Sequence, residues 1–374
     1  MIYKSLLLLL VFYLISQCSY SQAASEELLE DASISGIQEE ENYVWVSTQG
    51  HGIYRFSKKD GKWFNFSTNN ENLDNDLFYN IAVSKDYVWA GATDGLYTYD
   101  KKRNKWHKRK FAQGGEFGNW IRALEYDPKD NVLWIGRFRN LTRLDVSRQR
   151  FADFDLTKGN DPKTNNFKAI KIDGDSLVWF GTEGGIHIFN KNSEEEDPWT
   201  FISNKKGFNQ EGDAVSISDF LFERDNVWIG TDEFITAQMP GFNVGGVYRF
   251  NRKLKWDRIS KQSGLPANGI FCFERTGNKI WTSIYSFDKK VKKEYGKGLV
   301  LIDRISGEIL PVDLNNTEIN SSAIFCMHFD GSSMWIGTDN GLYRILIANQ
   351  LAEWPVKQEE EPTPGPKQRL RTRK

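Results

Sequence analysis

Leu133-Trp134-Ile135-Gly136 is one of seven copies of a single phrase, and the spacing of the copies decides the fold. The others are Val44-Trp45-Val46-Ser47, Val88-Trp89-Ala90-Gly91, Val178-Trp179-Phe180-Gly181, Val227-Trp228-Ile229-Gly230, Ile280-Trp281-Thr282-Ser283 and Met334-Trp335-Ile336-Gly337, at intervals of 44 to 54 residues. A fixed period of this length marks a repeat architecture. One unit shows its design. Phe78 to Val83 and Tyr87 to Ala92 read as strands, Thr93-Asp94-Gly95 as a tight turn and Leu96 to Tyr99 as a third strand. Another turn at Lys101 to Asn104 leads to a fourth strand beginning at Lys105-Trp106-His107. No helical period intervenes.

The second turn recurs with glycine, as His51-Gly52, Gly184-Gly185, Gly245-Gly246, Lys297-Gly298 and Asn340-Gly341, because hairpin turns of this kind require positive φ. The fourth strand recurs with an aromatic near its start: Trp63, Trp106, Phe151, Trp199 and Trp256, with Ile309 in the sixth unit and Trp354 for the seventh. A lone meander cannot bury both faces. Seven packed radially can, with tryptophan filling the wedge between sheets and the following glycine allowing close approach. The expected fold is all-β, a seven-bladed β-propeller of four-stranded antiparallel blades within residues 24–356. Trp45, Trp89, Trp134, Trp179, Trp228, Trp281 and Trp335 belong to its scaffold.

Leu-Trp-Ile-Gly-x followed by Gly-Leu and an aromatic, as in Trp335-Ile336-Gly337-Thr338-Asp339-Asn340-Gly341-Leu342-Tyr343, resembles the two-component regulator propeller repeat. Gly264-Leu265-Pro266-Ala267-Asn268-Gly269-Ile270 is similar to that family's connecting phrase. The resemblance implies a bacterial periplasmic sensor propeller, of a kind often answering polysaccharide fragments. The family's Ig-like module, membrane helix and kinase have no counterpart in the sequence.

The ends carry a different composition. Residues 1–23 read as a signal peptide, with Lys4, an apolar run from Leu6 to Ile15 and the small-x-small exit Ser21-Gln22-Ala23. The run is about half a membrane span. Cys18 offers a lipid-attachment site, although Gln17 stands where a small residue is expected. Residues 357–374 are rich in proline and charge and read as a disordered basic tail. These features imply export to the periplasm or beyond, with no transmembrane helix in the mature chain and an N-terminal lipid tether as the alternative to free solution. A formal net charge of −1 gives no sign of nucleic-acid binding. Cys272 and Cys326 fall where other units have Ala123 and Ala169, so they read as small buried residues, not a disulfide.

Candidate ligand-binding residues are those that break the repeat. Trp120 belongs to neither tryptophan series and sits beside Asn119 in a glycine-rich connection, either a ring for stacking on a sugar or a local plug. Arg137 and Arg139 depart from the phrase in the third unit, with Arg122 nearby; together they suit a carboxylate or sulfate, and singly they suit ion pairs with Glu125 or Asp127. Two enlarged loops follow Trp228 and Trp281; they carry Phe234, Met239 and Phe242, and then Tyr285, Tyr295 and five lysines. The histidines are scattered, His107 and His187 reading as structural and His328 as facing the channel. No cluster calls for a metal or cofactor. The reading is a non-catalytic recognition propeller for a glycan or peptide. A protein-docking scaffold and a propeller lyase or hydrolase are the alternatives.

Overall fold

In every unit the phrase around the tryptophan forms the second strand of a four-stranded antiparallel sheet, and seven such sheets make the blades of a propeller. The computed structural model describes residues 25–347, apart from 71, 112–114, 254 and 315–316. The signal peptide, Cys18, Trp354 and the basic tail lie outside the described residues. Blade two runs Asn80–Val83, Tyr87–Ala92, Gly95–Asp100 and Lys105–Arg109, close to the strands expected from its sequence. The turn glycines have φ of 140° at Gly95 and 142° at Gly185, a region closed to residues with a Cβ without strain.

In the five blades that have it, the glycine two residues after the tryptophan works through space between blades. A Cβ on Gly91 would lie 2.6 Å from Ile121 of blade three, and one on Gly337 would lie 2.6 Å from Ile34 of blade one. Ile34, Phe78, Ile121, Phe167, Ile217, Ile270 and Ile324 fill these inter-blade contacts and are fully buried. The seven scaffold tryptophans are at most 2% exposed. Each removes roughly 200 Å² from water, about 5 kcal/mol of transfer free energy before entropy is counted.

On the face opposite the second turns, an acid of one blade clasps a cation that opens the last turn of the next. Glu40 pairs with Lys101 (2.6 Å), Asp127 with Lys191 (2.6 Å), Asp173 with Arg252 (2.9 Å) and Glu223 with Arg304. Glu40 and Glu223 also accept the indole N–H of their own blade's tryptophan, Trp45 or Trp228. His328 of blade seven reaches Glu39 of blade one across the ring seam (Nε2 to Oε2, 3.0 Å).

The seam itself corrects the expectation for the seventh unit. Its outermost strand comes from the chain's other end: Ser25–Glu27 pairs antiparallel with Gly341–Leu346, Glu26 opposite Arg344. The Tyr343 hydroxyl donates to Glu27 (2.9 Å), and Leu28 N–H donates to Leu342 O (2.8 Å). A strand from the beginning of the chain therefore locks the ring, in the place assigned to Trp354.

Candidate functional site

The seven innermost strands surround a channel of about 250 Å³. At its entrance the pairing with the second strand slips. The slips fall between Ile34 and Gly36, Ile121 and Ala123, Phe167 and Ala169, Ile217 and Asp219, Ile270 and Phe273, and Ile324 and Cys326. A bulge re-aims a side chain that regular pleating would send elsewhere. Here the re-aimed residues Ser35, Arg122, Lys168, Ser218, Phe271 and Phe325 line the channel mouth. Blade two offers Tyr79 at the matching place, against Trp120 (ring centroids 5.8 Å apart). This ring was not read from the sequence as a set. Its signal is the variable residue that follows a buried apolar one and, in five of the seven units, precedes a small one.

One side of the mouth is aromatic. Trp120 stacks flat on Phe138 (5.2 Å, interplanar angle 1°), and the Arg122 guanidinium lies 5.4 Å from the Trp120 ring. The Trp120 indole N–H is buried and meets no acceptor among the described residues. The Asn119 carboxamide accepts the Phe111 backbone N–H at 2.6 Å and so holds the connection that carries Trp120. The other side is charged. Arg122 pairs with Glu183 (2.6 Å), which also accepts the Asn166 amide (3.0 Å). Lys168 pairs with Asp232, which also takes the hydroxyls of Ser216 and Tyr285. Burial opposes the charge on Glu183 and Asp232, but these cations outweigh it and hold both carboxyls below their ordinary values.

Two residues singled out from the sequence, Arg137 and Tyr285, are buried, while Arg139 is on the turn expected for it. Arg137 is 0% exposed, its guanidinium donating to Gly118 O (3.0 Å) and Asp153 (3.0 Å) over the Phe111 ring. It braces the Trp120 connection from inside. The partners expected for the arginines, Glu125 and Asp127, are replaced by Glu183 and Asp153. Arg139 alone of the three is exposed, on the second turn of blade three. Tyr285 is in a strand, 2% exposed and stacked on Phe271 (4.3 Å).

The two enlarged loops are themselves extended hairpins. In blade five Val227–Ile235 pairs with Asn243–Phe250, and in blade six Lys279–Asp288 pairs with Lys293–Asp303. Phe242 lies under the Arg258 guanidinium (4.8 Å), while Tyr295 is 42% exposed with Lys293 above it. Beside the blade-five hairpin, on the same face, a groove of about 680 Å³ opens between blades four and five. Phe201, Phe234 and Ile235 give it apolar walls; Lys158, Lys163 and Lys205 stand on its rim. The lysines went unremarked in the sequence because they fall in ordinary connections, far apart along the chain.

Deeper in the channel, burial pushes Glu125 up to about 7 and raises Asp219 and Glu274 as well. Lys171 stands in the lumen, and the nearby charge of Asp219 raises it further. No group of three or more metal-ligating side chains occurs among the described residues.

No helix among the described residues is long and apolar enough to cross a membrane. No protein-family model matches this chain, and no curated protein does. Solved structures do resemble it. The extracellular domain of a putative one-component system from B. thetaiotaomicron superposes with a TM-score of 0.65 at 18% identity, over 87% of this chain and 40% of that one. The extracellular domain of a putative hybrid two-component system from the same organism gives 0.61 at 15%, over 86% and 42%. PorZ, described as a surface component of the type-IX secretion system of Porphyromonas gingivalis, gives 0.59 at 16%, over 83% and 46%. The chain thus spans less than half the length of each, and the likeness is one of fold: a propeller shared with extracellular domains of bacterial signalling proteins.

Proposed function

We propose that this chain is an exported, non-catalytic recognition propeller of the two-component regulator type, binding an oligosaccharide or peptide on the face that carries the channel mouth and the long hairpins. The observation that carries this reading is the groove between blades four and five. Its size falls within the range of about 300–1,000 Å³ usual for small-ligand sites. Apolar walls with a polar rim are the usual composition of such a site. The propeller domains of putative signalling proteins support the sensor aspect by fold.

The test is a melting-shift screen of oligosaccharides and peptides against the chain and its Phe234→Ala variant. Phe234 is half-buried at the groove, so the variant is expected to keep most of its stability and lose the ligand-induced shift. No shift with any oligosaccharide or peptide, or an unchanged shift in the variant, would overturn the reading. A docking scaffold is favoured by Ile235, Met239 and Val291, exposed at 40%, 38% and 60% on the two hairpins. A Val291→Asp variant that keeps oligosaccharide binding separates that role from the first.

A further inference from the structure

The two enlarged hairpins rise to similar heights over the loop face. Val227–Ile235 has nine residues and Lys279–Asp288 ten, against six in Tyr87–Ala92 of blade two. With about 3.3 Å of rise per residue, the added residues lift the tips by about 10 and 13 Å above an ordinary second turn. Nine large apolar side chains are exposed among the described residues, and four of them, Ile235, Met239, Val291 and Tyr295, stand on these hairpins. The turns fix how the tips present them. The Asp288 carboxylate accepts the backbone N–H groups of Lys290 (2.7 Å) and Val291 (3.3 Å), and Lys292 takes a left-handed conformation (φ 52°). The Thr236 hydroxyl accepts the Met239 N–H (3.0 Å), and the Phe242 N–H donates to Met239 O (3.0 Å).

Charge around these apolar tips varies with height. Lys289, Lys290, Lys292 and Lys293 are exposed on either side of Val291 and make no ion pair with any described residue. Asp288, the acid among them, is engaged by the turn. The other acids lie lower. Glu294 is within electrostatic reach of Asp232 and Lys168 at the channel mouth, Asp232 is paired with Lys168, and Glu233 accepts the Asn243 amide (2.6 Å). A surface approaching the tips meets the lysines first, because charges beyond about 8 Å are largely screened at physiological salt.

The composition of the tips decides what kind of surface covers them. Lysine is depleted at protein–protein interfaces, whose centres are fully desolvated. Here single apolar side chains stand on separate turns with lysines between them, and the Lys293 ammonium lies 5.5 Å from the Tyr295 ring. Isolated apolar tips and a tyrosine within a collar of lysines suit a lipid headgroup layer. Apolar atoms reach the acyl boundary there, while the ammonium groups stay with the phosphates.

We propose that the loop face docks on an anionic phospholipid bilayer, with Met239 and Val291 seated among the headgroups and Lys289, Lys290, Lys292 and Lys293 against their phosphates. This goes beyond the recognition reading and does not depend on it.

The experiment is co-sedimentation of residues 24–374 with equimolar phosphatidylglycerol–phosphatidylcholine vesicles and with phosphatidylcholine vesicles. A combined Lys289→Gln, Lys290→Gln, Lys292→Gln, Lys293→Gln variant and a Met239→Ser, Val291→Ser variant are measured beside the parent, with melting temperature as the check on folding. All three keep the basic tail, so differences among them read the hairpins. The parent is expected to bind the anionic vesicles far more tightly than the neutral ones and to be released as salt rises. The lysine variant should bind about a hundredfold or more weakly, since each lysine near an anionic surface contributes about fivefold. The serine variant should bind about tenfold more weakly through lost apolar burial. No binding to the anionic vesicles, equal binding to neutral ones, or either variant binding as the parent does would overturn the proposal. A polyglutamate peptide that binds the parent and not the lysine variant, while anionic vesicles do not bind, would give the hairpin to an acidic protein instead. Oligosaccharide binding enters none of these outcomes, so failure here leaves the recognition reading standing.

Discussion

Replacing Lys191 by methionine isolates what the inter-blade clasps contribute. The Lys191 side chain is 7% exposed and its partner Asp127 is 2% exposed, with 2.6 Å between Nζ and Oδ2. Methionine keeps most of the aliphatic stem, so little packing is lost and the change is chiefly electrostatic. It leaves a carboxylate between blades three and four with no cation at that distance. Removing one partner of a buried pair costs about 3–5 kcal/mol. Asp127 still accepts the backbone N–H groups of Lys129 (3.1 Å) and Asp130 (3.4 Å), which retain part of its stabilisation, so the lower end, about 3 kcal/mol, is expected. The internal control is Lys102, paired with Asp86 at 3.1 Å but with side chains 79% and 46% exposed. Lys102→Met should leave the unfolding transition where it is, because solvent already screens that pair.

Urea and thermal unfolding followed by tryptophan fluorescence read both variants, and the Lys191→Met melting temperature should fall by roughly 4–5 °C. Adding Asp127→Asn to Lys191→Met should recover part of the loss by removing the stranded charge. A Lys191→Met transition no lower than that of Lys102→Met would refute the reasoning, since it would mean the clasp is neutral against its own desolvation.

Two further outcomes follow from the channel. Glu125 sits at about 7 in the fold against an ordinary 4.5, so between those values the native state binds more protons than the unfolded one. Stability therefore falls as pH rises from 4.5 through 7, and Glu125→Gln should flatten that fall and be more stable than the parent at pH 8 while matching it near pH 4, read by melting temperature against pH. An unchanged pH profile in the variant would remove the assignment. Burial pushes the Cys326 thiol up to about 12 and raises Cys272 as well, and both are free. In a Cys18→Ser, Cys326→Ser background, the buried Cys272 should not react with a thiol reagent at pH 8 until denaturant is added, and prompt labelling of the native protein would contradict its packing.

The fold was legible because its determinant is local and repeated. An apolar residue, tryptophan, a spacer and a glycine or serine recur wherever a second strand backs onto the next blade, and the residue against which Gly91 or Gly337 closes is fixed by the same geometry. The ring closure was not legible. Ser25-Glu26-Glu27 is short and polar, with no alternation to mark a strand, and it pairs only because Gly341–Leu346 presents an open edge. The long hairpins were read as loops for a related reason. Lysine-rich stretches such as Lys289 to Lys293 interrupt apolar patterning, yet residues 285–288 and 293–296 still pair in register on either side of that turn.

The site was partly legible, and the reason lies in what a broken repeat does. In four blades the residue three after the tryptophan is a threonine whose hydroxyl donates to the carbonyl of a turn residue: Thr48 to Gly52, Thr182 to Gly185, Thr231 to Gly246 and Thr338 to Gly341. Blade three has Arg137 there. Its longer side chain abandons the local cap and reaches Gly118 O and Asp153, a partner placed by the fourth strand and invisible to spacing along the chain. The exception is therefore neither drift nor a ligand contact; it braces the segment that sets Trp120 against Phe138 and Tyr79 at the mouth. Tyr285 behaves alike, spending its hydroxyl on Asp232 and its ring on Phe271. Breaking a repeat in a propeller thus acts at two depths. Buried exceptions reshape the scaffold beneath the face. What remains for an incoming ligand is the unspent remainder at the surface: the open walls of the groove and the lysines that no carboxylate has claimed.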